Sequence, residues 1–314
     1  MTEIGGYIEL DKYALPMLHE GAISLNCGRN CLAYLLRARK IKKILLPKFL
    51  CDSVSNVCGR ERVSVDFYSV GLNFMPIDID LAEDEWLYIV NYYGQLGQDL
   101  LWELKEKYDR IIVDHAQAYF QMPLEGVDTL YTCRKFFGVP DGAFLYTESI
   151  LEEELPVDVS YDRMHFLCGR FEREASEFYQ EYVGNNQLFE NEPIKKMSAL
   201  TRNLLHGIDY EGVKERRSSN YRYLHKHLMD VNKLSLSVPQ GAFMYPLYIE
   251  NGMEIRRNLH RAKIYVPMLW PNVSENGRDE SECDMACNIL PLPVDQRYGK
   301  AEMDYILDYL KVYL

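Results

Sequence analysis

The chain has 314 residues, 47% hydrophobic and 26% charged, the proportions of a globular protein large enough for one big domain and a smaller one. Its 35 basic and 47 acidic residues give a formal charge of −12, which opposes general binding to nucleic acid but leaves room for one phosphorylated ligand in a local pocket. No apolar run reaches membrane-span length and the N-terminus has neither a basic n-region nor an apolar h-region, so no membrane contact and a cytoplasmic location are expected. Eight cysteines are scattered without a CxxC pair, and Cys283-x-x-x-Cys287 lacks a second ligand pair; free thiols and no metal are expected.

In chain order, Leu25-Asn26-Cys27-Gly28-Arg29-Asn30-Cys31 leads into the first strong helix, residues 30–39. Gly28 lets backbone approach an anion, Arg29 can add a charge-assisted contact, and Asn30 can cap the helix. Short apolar runs follow at 43–47, 63–68, 86–91, 111–114, 129–132 and 143–146, with a helical stretch at 97–108. Continuous apolar strands separated by helices predict an α/β architecture, a mostly parallel central sheet with helices on both faces. Residues 150–190 are rich in Glu, Tyr and Phe and read as helical with long connections. Residues 193–228 read as a long helical region, with Met197, Leu200, Leu204, Leu205 and Ile208 on a core face. Strands at 243–249 and 288–293 and a closing amphipathic helix at 301–313 complete a smaller C-terminal α+β domain. The division is expected near residue 190, giving 1–190 and 191–314.

Two of these strands deliver chemistry. The run 111–114 ends in Asp114, and Thr132-Cys133-Arg134-Lys135 follows the next strand. Ligands of open α/β sheets bind beyond the carboxyl ends of the strands. An Asp and a Lys at that edge are what pyridoxal phosphate (PLP) requires: the Lys forms a Schiff base, and the Asp keeps the pyridine nitrogen protonated. Thr132 offers a hydroxyl on the same edge, and Arg134 is either a second phosphate ligand or a surface residue. His115 is expected to be a packed, structural histidine, because strand side chains alternate between faces. Tyr92 and Tyr93 are either substrate-side residues or core.

Together these segments resemble the DegT/DnrJ/EryC1/StrS sugar aminotransferases, within the fold-type I PLP-dependent enzymes. Gly28-Arg29-Asn30 matches the family's phosphate turn in position. Asp114-His115-Ala116-Gln117 matches its acid-x-x-Gln element, and Lys135 followed by Pro140-Asp141-Gly142-Ala143 matches its Schiff-base lysine and glycine-rich turn. Val90-Asn91-Tyr92-Tyr93-Gly94, Met197-Ser198 and Leu290-Pro291-Leu292-Pro293 are similar to further family segments. The resemblance implies PLP as cofactor, Lys135 and Asp114 as catalytic residues, and Gly28, Arg29, Asn30, Cys51, Gln117 and Thr132 around the cofactor. Gln117 would approach the ring hydroxyl, and Thr132 would stand in for the family's serine. It also implies a homodimer, an amino-acid donor such as glutamate, and a keto-sugar acceptor, usually nucleotide-linked.

The departures are specific. The arm before the phosphate turn and the stretch between Thr132 and Lys135 are shorter than in the family. The family's Asn-Tyr-Arg-Met, whose Asn reaches the partner subunit's phosphate, aligns with Ile194-Lys195-Lys196-Met197, so that amide is lost and Lys195 or Lys196 replaces it only in part. The ring-stacking aromatic falls at Cys51 by counting from Pro47, with Phe49 the more natural side chain. Two alternatives to transamination are another PLP reaction, such as deoxysugar dehydration, and a decayed scaffold with a binding or regulatory role. Family dehydratases carry His where this chain has Lys135, and a decayed site has no need of Asp114, Gln117 and Lys135 together.

Overall fold

The computed structural model describes residues 4–275 and 280–314. The apolar runs become strands of one eight-stranded sheet. In chain order these are β1 (Ile23–Leu25), β2 (Lys43–Pro47), β3 (Ser64–Val70), β4 (Pro76–Ile77), β5 (Glu85–Val90), β6 (Ile111–Asp114), β7 (Asp128–Thr132) and β8 (Ala143–Tyr146). Their spatial order is β1-β8-β7-β6-β5-β2-β3-β4. The run from β7 through β6, β5 and β2 to β3 is parallel, while β8 is antiparallel to both β7 and β1, and β4 is antiparallel to β3. Central strands are buried along nearly their whole length, as in Ile111–Asp114 and Leu87–Val90, which is why they read as continuous apolar runs.

The helices around the sheet are α1 (Gly28–Ala38), α2 (Asp52–Arg60), α3 (Gln98–Tyr108), α4 (His165–Glu172), α5 (Tyr179–Leu188) and α6 (Ala199–Leu205). Cys31, Leu32, Leu35 and Leu36 give α1 a buried stripe that packs on β7 and β8. At the far end of α1, Arg39 grips the buried Asp128 of β7 through two bonds of 2.9 Å.

The C-terminal part contains α7 (Tyr210–Leu228), β9 (Met244–Tyr248), α8 (Gly252–Arg261), α9 (Pro271–Glu275), α10 (Glu280–Asn288), β10 (Ile289–Pro293) and α11 (Lys300–Leu310). The two strands pair antiparallel. Tyr221, Leu224 and Leu228 of α7, Leu247 of β9, Leu290 and Leu292 of β10 and Met303, Ile306 and Leu310 of α11 close a second hydrophobic core. No described helix is long and apolar enough to cross a membrane.

One element differs from expectation. Residues 193–228 are not one helical region: Ile194–Ser198 is extended, with Lys196 bridging to Leu25 and Val157, and α6 and α7 are separate helices. Asp141 explains the late start of α6. Its buried carboxylate accepts from Ser198 N–H at 2.8 Å, Ser198 Oγ at 2.7 Å and Thr201 Oγ1, so Ser198 is held as the N-cap. Ile194, Met197 and Leu205 pack in the same hydrophobic core as the sheet strands.

Candidate active site

β2 and β5 are neighbours, yet the chain leaves them in opposite directions, toward β3 on one side and β6 and β7 on the other. Such a switch point opens a crevice at the carboxyl ends of the strands. The segments arriving there are Lys48–Cys51 after β2, Asn91–Gly94 after β5, Asp114–Gln117 at the end of β6, and Thr132–Lys135 at the end of β7. The fold therefore gathers the residues singled out above on one edge.

Asp114 is buried, 7% exposed. Its Oδ2 accepts from Tyr88 Oη at 2.8 Å and its Oδ1 from Ala116 N–H at 2.7 Å. Burial raises its pKa, while the nearby Lys135 charge and these two donors pull it back down. The site thus contains a carboxylate, oriented by two donors, whose ionised form gains from a cation. Lys135 is an exposed residue in a largely buried turn, with its ammonium 5.5 Å from the centre of the Phe243 ring. Gln117 is buried, and its Oε1 accepts from Tyr93 N–H at 2.8 Å, which leaves Nε2 as its donor.

At the opposite end of the crevice, α1 begins at Gly28 with Cys27 in the N-cap position, and no side chain caps it. A Cβ on Gly28 would stand 3.8 Å from Thr132 Cβ, so the helix start and Thr132 lie side by side. Backbone donors of an uncapped helix start, a glycine and a hydroxyl are a fitting cradle for a phosphate. Arg134 adds charge. It is not a free surface residue: its guanidinium lies over the Phe189 ring at 4.7 Å, donates to Asn186 Oδ1, and its pKa is lowered by burial. Among the described residues neither Arg134 nor Arg29, which donates to Asn186 O at 2.9 Å, pairs with a carboxylate.

Three sequence expectations need correction or refinement. Asn30 does not cap α1: its amide donates to Asn26 Oδ1 at 2.9 Å and Pro193 O at 2.7 Å and accepts from Arg60, so it ties the helix to the 192–193 segment. Phe49 is fully buried against Tyr92 and Trp270, so of the two stacking candidates only Cys51 stands at the crevice, partly exposed and 2.8 Å from Ser53 Oγ. Lys195 is taken up by Glu192 and Asp158 of its own chain. His115 is a core residue as expected, with Nδ1 3.2 Å from the Asn91 amide and a pKa lowered to about 3 by burial and by His19. Tyr92 and Tyr93 are fully buried and belong to the core.

The roles of Tyr88 and Asp141 were not anticipated. Tyr88 carries a usable signal: it sits two residues before Val90, the register partner of Asp114, so strand alternation turns it to the same face. Asp141 in Pro140-Asp141-Gly142-Ala143 anchors the turn after Lys135. Gly142 there has φ +110°, and a Cβ would meet Thr201 Cγ2 at 2.9 Å, so only glycine fits.

No protein-family model and no curated protein matches the sequence. Solved structures do match in fold. The sugar aminotransferase CalS13 from Micromonospora echinospora is 15% identical, with 93% of this chain and 87% of that one covered and a TM-score of 0.61. A DegT DnrJ EryC1 StrS aminotransferase from Brucella abortus is 14% identical over 93% and 86%, with a TM-score of 0.63. NtdA from Bacillus subtilis, solved with bound cofactor PMP, is 12% identical over 93% and 72%, with a TM-score of 0.65. The chain has the fold of these aminotransferases, the fold-type I architecture.

Proposed function

We propose that this protein is a PLP-dependent aminotransferase that passes an amino group from an amino acid, glutamate by family resemblance, to a keto sugar carried on a nucleotide diphosphate. The observation that carries this reading is the pairing of a buried, two-donor Asp114 with an exposed Lys135 on one sheet edge, opposite the uncapped helix start at Gly28. Solved structures of the same fold, among them the sugar aminotransferase CalS13, support it.

Bound PLP supplies an electron-accepting pyridinium ring that stabilises negative charge at the substrate's α-carbon. The chain's residues do the rest. Lys135 Nζ would be the attachment point for the group and the base and acid that moves the substrate's α-proton. Asp114 Oδ2, held by Tyr88, would be the counter-charge to a protonated ring nitrogen. Gln117 Nε2 is the donor left for the ring hydroxyl. Gly28, Arg29 and Thr132 would hold the phosphate, with Arg134 adding charge from the same subunit where the family uses a partner's amide. Cys51 would stand where the family has an aromatic.

A homodimer is part of this proposal. Phe171, Tyr179 and Tyr182 on α4 and α5, beside the phosphate end, are exposed, as are Ile4, Tyr7 and Ile8 of the N-terminal arm.

The test is an absorption spectrum of the purified chain with PLP, before and after glutamate. A violet-region band that moves into the near ultraviolet with glutamate is expected. A band that glutamate leaves unchanged would rule out glutamate as donor or point to another PLP reaction. No band would favour a decayed binding protein.

A further inference from the structure

Arg217 of α7 is 2% exposed, one of the largest fully buried side chains in the molecule, and no carboxylate bonds to it among the described residues. Burying a guanidinium without a direct counter-charge is costly unless every donor is satisfied. Here each guanidinium nitrogen donates at least once, and the bonds converge on the surroundings of Lys135. Nη2 donates to Phe136 O at 3.2 Å, the carbonyl immediately after the lysine. Nη1 donates to Ala242 O at 2.9 Å and to Phe243 O at 3.4 Å, at the start of β9. Nε donates to Gln296 Oε1 at 2.7 Å. Gln296 closes the triangle, its Nε2 donating to the same Phe136 O at 2.8 Å. The guanidinium also lies 4.6 Å from the centre of the Phe136 ring.

Two features that define where the Lys135 amine stands are therefore held by one side chain. The first is its own turn, through Phe136 O. The second is the Phe243 ring beneath its ammonium, through the Phe243 carbonyl. Both Arg217 and Gln296 come from the C-terminal part of the chain, so the lysine turn is fastened to α7 and to the segment after β10.

We propose that Arg217 and Gln296 are positioning residues for the Lys135 amine, a clamp by which the C-terminal part sets the place and environment of that amine at the crevice. The proposal rests on Lys135 being the reactive lysine, as the proposed function holds, but it can be read without cofactor.

The experiment uses the full chain without cofactor. Acetic anhydride labels its lysines across a pH series, and peptide mass mapping gives the rate at Lys135, with the exposed Lys226 as internal standard. Gln296→Glu keeps an acceptor for Arg217 Nε and removes one donor from Phe136 O. Arg217→Lys keeps the charge and loses the fork. Arg216→Met, on the exposed neighbour, is the control for losing a charge on α7. A displaced amine in a changed setting should alter the Lys135 rate, relative to Lys226, by about tenfold or shift its pH profile in Q296E and R217K, and leave R216M like the parent. The same two variants, loaded with PLP, should shift the pH titration of the visible band. Q296E with the parent's melting temperature and the parent's Lys135 profile would overturn the clamp, and so would a Q296E chain that fails to fold. A parent chain that takes up no PLP but keeps the variant-dependent Lys135 profile would overturn the proposed function and leave the clamp standing.

Discussion

Tyr88 Oη donates to Asp114 Oδ2 at 2.8 Å across the β5–β6 pair, deep in the sheet. With Ala116 N–H on the other oxygen, the carboxylate cannot rotate, and it presents a fixed negative charge at the edge where Lys135 stands. Tyr88→Phe removes one of those donors and leaves a buried oxygen unpaired, which costs about 1–3 kcal/mol. The expected result is a lower urea midpoint for the cofactor-free chain and weaker PLP binding. An unchanged midpoint and PLP affinity would show that the bond does not matter.

Asp114 has the opposite stability signature to a paired surface acid. Its folded pKa is raised, chiefly by burial, so its contribution favours folding at pH below the ordinary carboxylate range and is lost as pH rises through the folded value. At neutral pH, without cofactor, Asp114 is a liability. Asp114→Asn keeps an acceptor for Ala116 N–H and a donor that Tyr88 Oη can accept. Thermal melting at pH 7 should show the cofactor-free variant more stable than the parent, while PLP protects it less. A less stable variant would mean that the carboxylate gains more from its two donors than it loses by burial.

His19 and His115 set an acid limit. Burial lowers them to about 4 and about 3, so both are neutral in the folded chain and take up protons in the unfolded one below about 6.5. Stability should be full above that value and fall as pH drops toward 4, by up to about 1.4 kcal/mol per pH unit for each histidine. Denaturant midpoints between pH 7 and 5 read this directly. His115→Asn should reduce the slope, and an unchanged slope would assign it to other groups.

Arg134 should distinguish phosphate from ring. Arg134→Met is expected to weaken PLP binding about tenfold or more while leaving pyridoxal, which lacks the phosphate, nearly unaffected. Equal losses for both ligands would place Arg134 in a purely structural role on Phe189.

Gly142→Ala forces a side chain onto a φ of +110° and against Thr201. A loss of about 1–3 kcal/mol in folding stability is expected from the strained backbone alone.

The sheet was legible because its inner strands are buried on both faces and read as unbroken apolar runs. That Asp114, Thr132 and Lys135 share one edge of the sheet was legible because parallel strands bring their carboxyl ends together, whereas Gln117 came from the family resemblance. The burial of Phe49 was not legible, since its place in the core against Tyr92 and Trp270 depends on residues distant in sequence. The break before α6 follows from Asp141, 57 residues earlier than the N-cap Ser198 it holds, a pairing no local pattern carries. α2 was missed although Val54, Val57 and Cys58 have helical spacing, because Ser, Asn and Gly in Asp52–Arg60 are weak helix formers. Arg217 looks in sequence like one more charge on a polar helix, and only the tertiary fold turns it inward.

The central claim is that Lys135 is the residue that binds the cofactor. The most direct measurement is peptide mapping by mass spectrometry after the chain is incubated with PLP and reduced with borohydride, for the parent and for Lys135→Ala. The expected result is a reduced pyridoxyl adduct on Lys135 in the parent and none at a new position in the variant. Adducts spread over surface lysines, or a variant that carries as much adduct as the parent, would contradict it.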